Sequence, residues 1–107
     1  MEIEFVKNYL RELYFEGRTS NKKYRFQPQV IKQYKYTVGV LFKADNIESL
    51  YNIKSLHYEK KKGNLKGVEA VYVNKQYRLE FISRIEGEDS NKITICSLIE
   101  LSSHYKK

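Results

Sequence analysis

The run from Leu65 to Phe81 constrains the fold of this chain more than any other stretch. It reads Leu65-Lys66-Gly67-Val68-Glu69-Ala70-Val71-Tyr72-Val73, then Asn74-Lys75-Gln76, then Tyr77-Arg78-Leu79-Glu80-Phe81. β-branched and aromatic residues flank a short polar turn, which is the pattern of a β-hairpin. In a strand successive side chains alternate between faces, so Tyr77, Leu79 and Phe81 share one side and Arg78 and Glu80 the other. Arg78 is therefore a cation presented by rigid scaffold. An arginine at such a position is ordinarily a solvated arm; its surroundings in the sequence argue for more.

The rest of the chain supplies helices before the hairpin and another strand after it. Glu2-Ile3-Glu4-Phe5 alternates charged and apolar residues as a short strand does. From Tyr9 the period changes, and Tyr9, Leu10, Leu13 and Tyr14 form a helical stripe that stops at Gly17. Arg18 to Phe26 is polar and basic and reads as a loop. Pro28 stands where a second helix begins, since its fixed φ and missing N–H suit a first turn. Ile31, Tyr34, Val38, Leu41 and Phe42 mark that helix's apolar face, and Gly39 within it is expected to mark a close packing contact. Asp45-Asn46 supplies a turn and a cap for a short helix holding Ile47, Leu50 and Tyr51. Beyond the hairpin, Ser83 to Lys92 reads as a polar turn region. Then Ile93 to Glu100 alternates as a strand that places Cys96 among apolar neighbours, an inert buried thiol.

Composition narrows the function. The 107 residues are one domain's worth, and no repeat or linker divides residues 1–107. One cysteine allows no internal disulfide, and no apolar run reaches signal-peptide or membrane-span length, so the expected compartment is the cytoplasm. Twenty Lys and Arg against thirteen Asp and Glu give +7, a surplus that favours polyanions, nucleic acid above all, or an acidic protein. The two histidines and single cysteine show no zinc-ligand spacing, and nucleotide-binding glycine motifs are absent.

The cationic segment Ser55 to Gly67, preceded by Lys54, carries the chemistry. Lys60, Lys61, Lys62 and Lys66 follow Leu56-His57-Tyr58. A lysine run is usually a solvated loop. Here a histidine suited to proton transfer near neutrality sits directly ahead of it, and Tyr58 offers a flat face for a base to stack on. The chain's other histidine, His104, stands beside Tyr105 just after the last strand.

Together these pieces resemble the HigB-type toxins of the RelE/ParE superfamily of bacterial toxin-antitoxin systems. Leu65-Lys66-Gly67, the strand ending Val71-Tyr72-Val73-Asn74, and Tyr77-Arg78-Leu79-Glu80-Phe81 are similar to that family's core signature. Leu56-His57 with Lys60 is similar to its preceding Leu-His-x-x-Lys, and Tyr14-Phe15-Glu16-Gly17 to its early Phe-x-x-Gly. The similarity runs over nearly the whole chain in order. The family commonly ends its last strand with Asp-Tyr-His, whereas here Glu100 is followed by Leu101-Ser102-Ser103-His104-Tyr105.

The resemblance implies an α+β fold: an antiparallel sheet of about four strands, with helices from the first half of the chain packed on one face. It also implies a metal-independent, cofactor-free endoribonuclease cutting messenger RNA on the ribosome. His57 and His104 would share the acid and base work, Arg78 would clamp the phosphate, and Tyr105 would stack on a base or relay a proton. Lys60, Lys61, Lys62, Lys66 and Tyr58 would bind RNA. The implied partner is an antitoxin of the helix-turn-helix HigA type. The same fold with a ParE-like topoisomerase target, and a non-catalytic nucleic-acid-binding module, are the alternatives. The nuclease reading requires His57, Arg78 and His104 to converge within one phosphate's reach.

Overall fold

The structure, a computed structural model, describes residues 1–61 and 67–103. Its strands are β1 (Glu2–Phe5), β2 (Glu59–Lys60), β3 (Glu69–Tyr72), β4 (Tyr77–Glu86) and β5 (Ile93–Ser103). The helices are α1 (Asn8–Glu16), α2 (Pro28–Lys43) and α3 (Ile47–Tyr51). The strands form one five-stranded sheet in the order β1-β5-β4-β3-β2.

This corrects the expected four-stranded antiparallel sheet in two ways. β1 joins β5 in parallel, Ile3 opposite Cys96 and Phe5 opposite Leu98. The chain can return in the same direction because α1 and α2 intervene, as a parallel pair requires a long crossover. β2 adds a second edge, pairing only Glu59 with Ala70 and Lys60 with Glu69. β4 is also longer than expected. Residues 82–86 continue the strand against β5 down to Glu86–Ile93, so the polar turn is confined to residues 87–92.

The hairpin forms as its sequence demands, with Val71 opposite Leu79 and Tyr72 opposite Arg78. Asn74 builds the turn: its Oδ1 accepts from the N–H groups of Gln76 and Tyr77, each at 2.8 Å, and its Nδ2 donates to Gln33 Oε1 of α2 at 2.8 Å. Between β4 and β5 the register slips. Glu80 faces Glu100, yet Phe81 faces Leu98, leaving Ile99 as the extra residue of a bulge. Strict alternation would send Leu98 and Leu101 to opposite faces. With the bulge both are buried in the core, and Ser102 lands opposite Arg78.

The helices cover the face that carries Leu79, Phe81, Cys96, Leu98 and Leu101, all buried. α1 contributes Tyr9, Leu10 and Leu13 and ends at Gly17, whose φ of 75° is the left-handed conformation of a helix C-cap. α2 begins at Pro28 and buries Val30, Tyr34, Thr37, Val38 and Leu41. Phe42 is not in that stripe and is 62% exposed. Gly39 makes no close contact either: a Cβ there would meet nothing within 4 Å, and the residue opens onto a groove of about 480 Å³. α3 is capped as expected, Asn46 Oδ1 accepting from Ser49 N at 2.9 Å. Cys96 is buried, and desolvation pushes its thiol up to about 12.

Two tyrosines pin the helices to one another and to the sheet. Tyr34 Oη, buried, donates to the Leu10 carbonyl at 2.7 Å and ties α2 to α1. Tyr9 Oη donates to Glu100 at 3.1 Å and accepts from Leu101 N at 2.9 Å, holding α1 beside the bulge. Removing the Tyr34 hydroxyl deletes this buried hydrogen bond, so Tyr34→Phe is expected to destabilise the fold by about 1 kcal/mol in urea unfolding monitored by circular dichroism.

Candidate active site

Arg78 lies near the start of β4, flanked by Tyr72 on β3 and Ser102 on β5. Because Leu79 and Phe81 are committed to the core, alternation turns Arg78 to the opposite face. Its Nη2 forms an ion pair with Glu59 Oε2, and Lys61 Nζ approaches Glu59 Oε1 at 3.5 Å. The Arg78 and Lys61 side chains are only 20% and 19% exposed, while Glu59 is 43% exposed. A carboxylate thus sits between two cations that the sheet holds largely out of solvent, leaving the trio a net charge of +1.

His57 packs against Tyr72, the residue that pairs with Arg78 across β3 and β4. Its ring lies 5.2 Å from that of Tyr72, centroid to centroid, edge-on at 66°. The backbone at His57 is left-handed, φ 44° and ψ 49°, closing the short 3₁₀ turn Lys54–Leu56 through an N–H to the Lys54 carbonyl at 3.1 Å. A non-glycine residue in that region carries strain. The surroundings overcome it by burying Leu56 immediately before the exposed imidazole.

The residues singled out from sequence divide between the two faces. Arg78 and Lys61 share the Glu59 carboxylate, and His57 packs on Tyr72, the residue paired with Arg78. Lys60 does not join them: opposite Glu69 in β2, it opens onto a cleft of about 350 Å³ lined also by Tyr51, Ser83 and Arg84. Tyr58 is likewise turned inward and is no open stacking platform. Its hydroxyl donates to the buried Glu69 carboxylate at 2.6 Å, and its ring packs against Tyr51 and Phe81. That burial, reinforced by Glu69, holds the Tyr58 hydroxyl far above the ordinary phenol range. Lys62, Lys66, His104 and Tyr105 lie outside the described residues. The last described residue, Ser103, pairs with Tyr77, next to Arg78.

Sequence reasoning passed over Glu59 and Glu69. Glu59 sits two residues before Lys61, the strand period that puts both on the Arg78 side, which is the signal that would have found it. Glu69 accepts from Tyr58 and also from the N–H and hydroxyl of Ser83, at 2.9 and 2.6 Å. Among the described residues no three His, Cys, Asp or Glu side chains gather closely enough to hold a metal ion, and no helix is long and apolar enough to cross a membrane.

The arrangement of a mixed sheet with two sequential helices on one face is shared with a solved structure. The YoeB/ParE toxin from Agrobacterium tumefaciens superposes on this chain with a TM-score of 0.52, covering 98% of this chain and 100% of that one, at 16% identity. At that identity the likeness is one of fold. No sequence family matches the chain, and no curated protein is significantly similar to it.

Proposed function

We propose that this chain is the toxin of a toxin-antitoxin pair, of the HigB type, and that it cleaves messenger RNA on the ribosome. One observation supports this reading: Arg78 and Lys61 share the Glu59 carboxylate, and His57 packs on Tyr72, the residue paired with Arg78, in a chain whose fold resembles that of a YoeB/ParE toxin. In the proposed reaction the ribose 2′ oxygen attacks the adjacent phosphorus as its proton leaves to a base. The P–O5′ bond breaks and the 5′ oxygen takes a proton, giving a 2′,3′-cyclic phosphate and a 5′ hydroxyl. His57 takes one of these proton transfers and His104 the other, each such role being worth about 10²–10⁴ in rate. Arg78 and Lys61 stabilise the charge that builds on the phosphoryl oxygens. Tyr105 and the lysines 62 and 66 engage the flanking RNA.

The whole of residues 1–107 acts as one domain in this reading, in the cytoplasm, silenced by an antitoxin of the helix-turn-helix HigA type. A ParE-like topoisomerase poison is the second reading, since the structural neighbour carries both names; it needs no histidine chemistry. Induced expression in a bacterial host, with messenger 5′ ends mapped in the same cultures, tests the proposal. Wild type should arrest growth and create new 5′ ends within translated frames, and His57→Ala should relieve both. Arrest with messages intact, unrelieved by His57→Ala, would overturn it in favour of the topoisomerase target.

A further inference from the structure

Arg78 is the side chain best placed to hold a phosphate, yet in the free protein its guanidinium is already taken by a carboxylate. Glu59 stands on β2, an edge strand of two residues, and among the described residues it is the one carboxylate in ion-pair contact with either Arg78 or Lys61. The two cations are four-fifths buried and fixed by the sheet, whereas Glu59 is nearly half exposed and so the freer partner to move. A carboxylate and a phosphodiester present the same feature to an arginine fork, two oxygens sharing a negative charge.

We propose that Arg78 and Lys61 form a single-phosphate site which Glu59 fills as an internal stand-in, and that an incoming phosphodiester displaces the Glu59 carboxylate toward solvent. The identity of the ligand rests on the nuclease reading above; the anion site itself does not. Displacement makes binding a competition, so the protein's own carboxylate lowers its affinity for phosphates met singly in solution. It also reduces counterion release, because Arg78 exchanges one anion for another.

The test compares wild type with Glu59→Gln, which keeps the shape and removes the charge. Glu86→Gln is the control: it removes an equal charge from the Arg84–Glu86 pair, 2.8 Å apart elsewhere on the sheet. The probes are inorganic pyrophosphate, followed by calorimetry, and a ten-nucleotide single-stranded RNA bearing 2′-O-methyl groups throughout, which cannot be cut and is followed by fluorescence anisotropy. Glu59→Gln should bind both at least about fivefold more tightly at low salt, with Glu86→Gln changed less than about twofold. The log-log salt slope for the RNA should steepen by about 0.7 in Glu59→Gln alone, one added phosphate contact on a single strand.

Equal or weaker binding by Glu59→Gln, an equal gain in Glu86→Gln, or no binding of either probe by any variant would overturn the inference. The two proposals fail separately. Intact messages in the growth experiment with a tighter Glu59→Gln would remove the nuclease and leave the anion site. Cut messages with an unchanged Glu59→Gln would do the reverse.

Discussion

Arg78→Ala is expected to lower messenger cleavage by about a hundred- to a thousandfold while leaving the fold nearly intact, the scale of losing one preorganised donor to a transition-state oxyanion. The two effects separate because the side chain's structural work is small. Among the described residues its ion-pair partner is Glu59, whose side chain is 43% exposed and can be solvated once the guanidinium is gone, and ion pairs with an exposed member are worth about 1 kcal/mol or less. Arg78→Lys keeps the charge and loses the planar fork, so its rate should fall between wild type and alanine. Counting new 5′ ends per message beside the urea midpoint of the same variants checks both halves. An alanine variant that cuts normally would dismiss Arg78 from the chemistry, whatever its stability.

Phe81→Ala should be the most damaging core substitution of those considered, costing about 3–5 kcal/mol, the range for deleting a buried aromatic side chain. Phe81 is wholly buried, faces Leu98 across the bulge, lies opposite Glu69 in β3 and packs against Tyr58. Its loss opens a cavity where three strands meet, with little chance of collapse because both neighbouring registers are fixed. Domains of this size are stable by about 5–15 kcal/mol, so the variant should show a large drop in urea midpoint. Ile85→Ala, on the same strand but 66% exposed, should move it by less than about 0.5 kcal/mol.

What was legible in the sequence follows from which signals are local. The hairpin, the starts of α2 and α3 and the end of α1 rest on alternation, Pro28, Asn46 and Gly17, all of which act within a few residues. The parallel pairing of β1 with β5 joins residues more than ninety positions apart and leaves no mark in either segment. β2 is too short to alternate. The bulge at Ile99 resets a face in mid-strand, which no fixed period anticipates. At the site, the face that Arg78 occupies was legible because a long apolar strand fixes its parity, while the role of His57 rests on the proposal and on the rarity of side chains that titrate near neutrality. The lysines were not legible, because membership depends on whether β2 counts from Glu59 or Lys60. That one-residue choice puts Lys61 on the face of Arg78 and Glu59 and sends Lys60 to the far face.

Glu69 has a further consequence, for how copies of the protein meet. β3 spans four residues and β4 ten, so from Ile82 onward β4 pairs on one side only among the described residues. An uncovered strand margin invites a second chain to zip onto it, more so with Ile82 and Ile85 exposed alongside. Two positions past the last β3 pair, the Ser83 N–H is occupied by the Glu69 carboxylate. A buried acid in a strongly basic protein therefore blocks the rung from which stacking into aggregates would start.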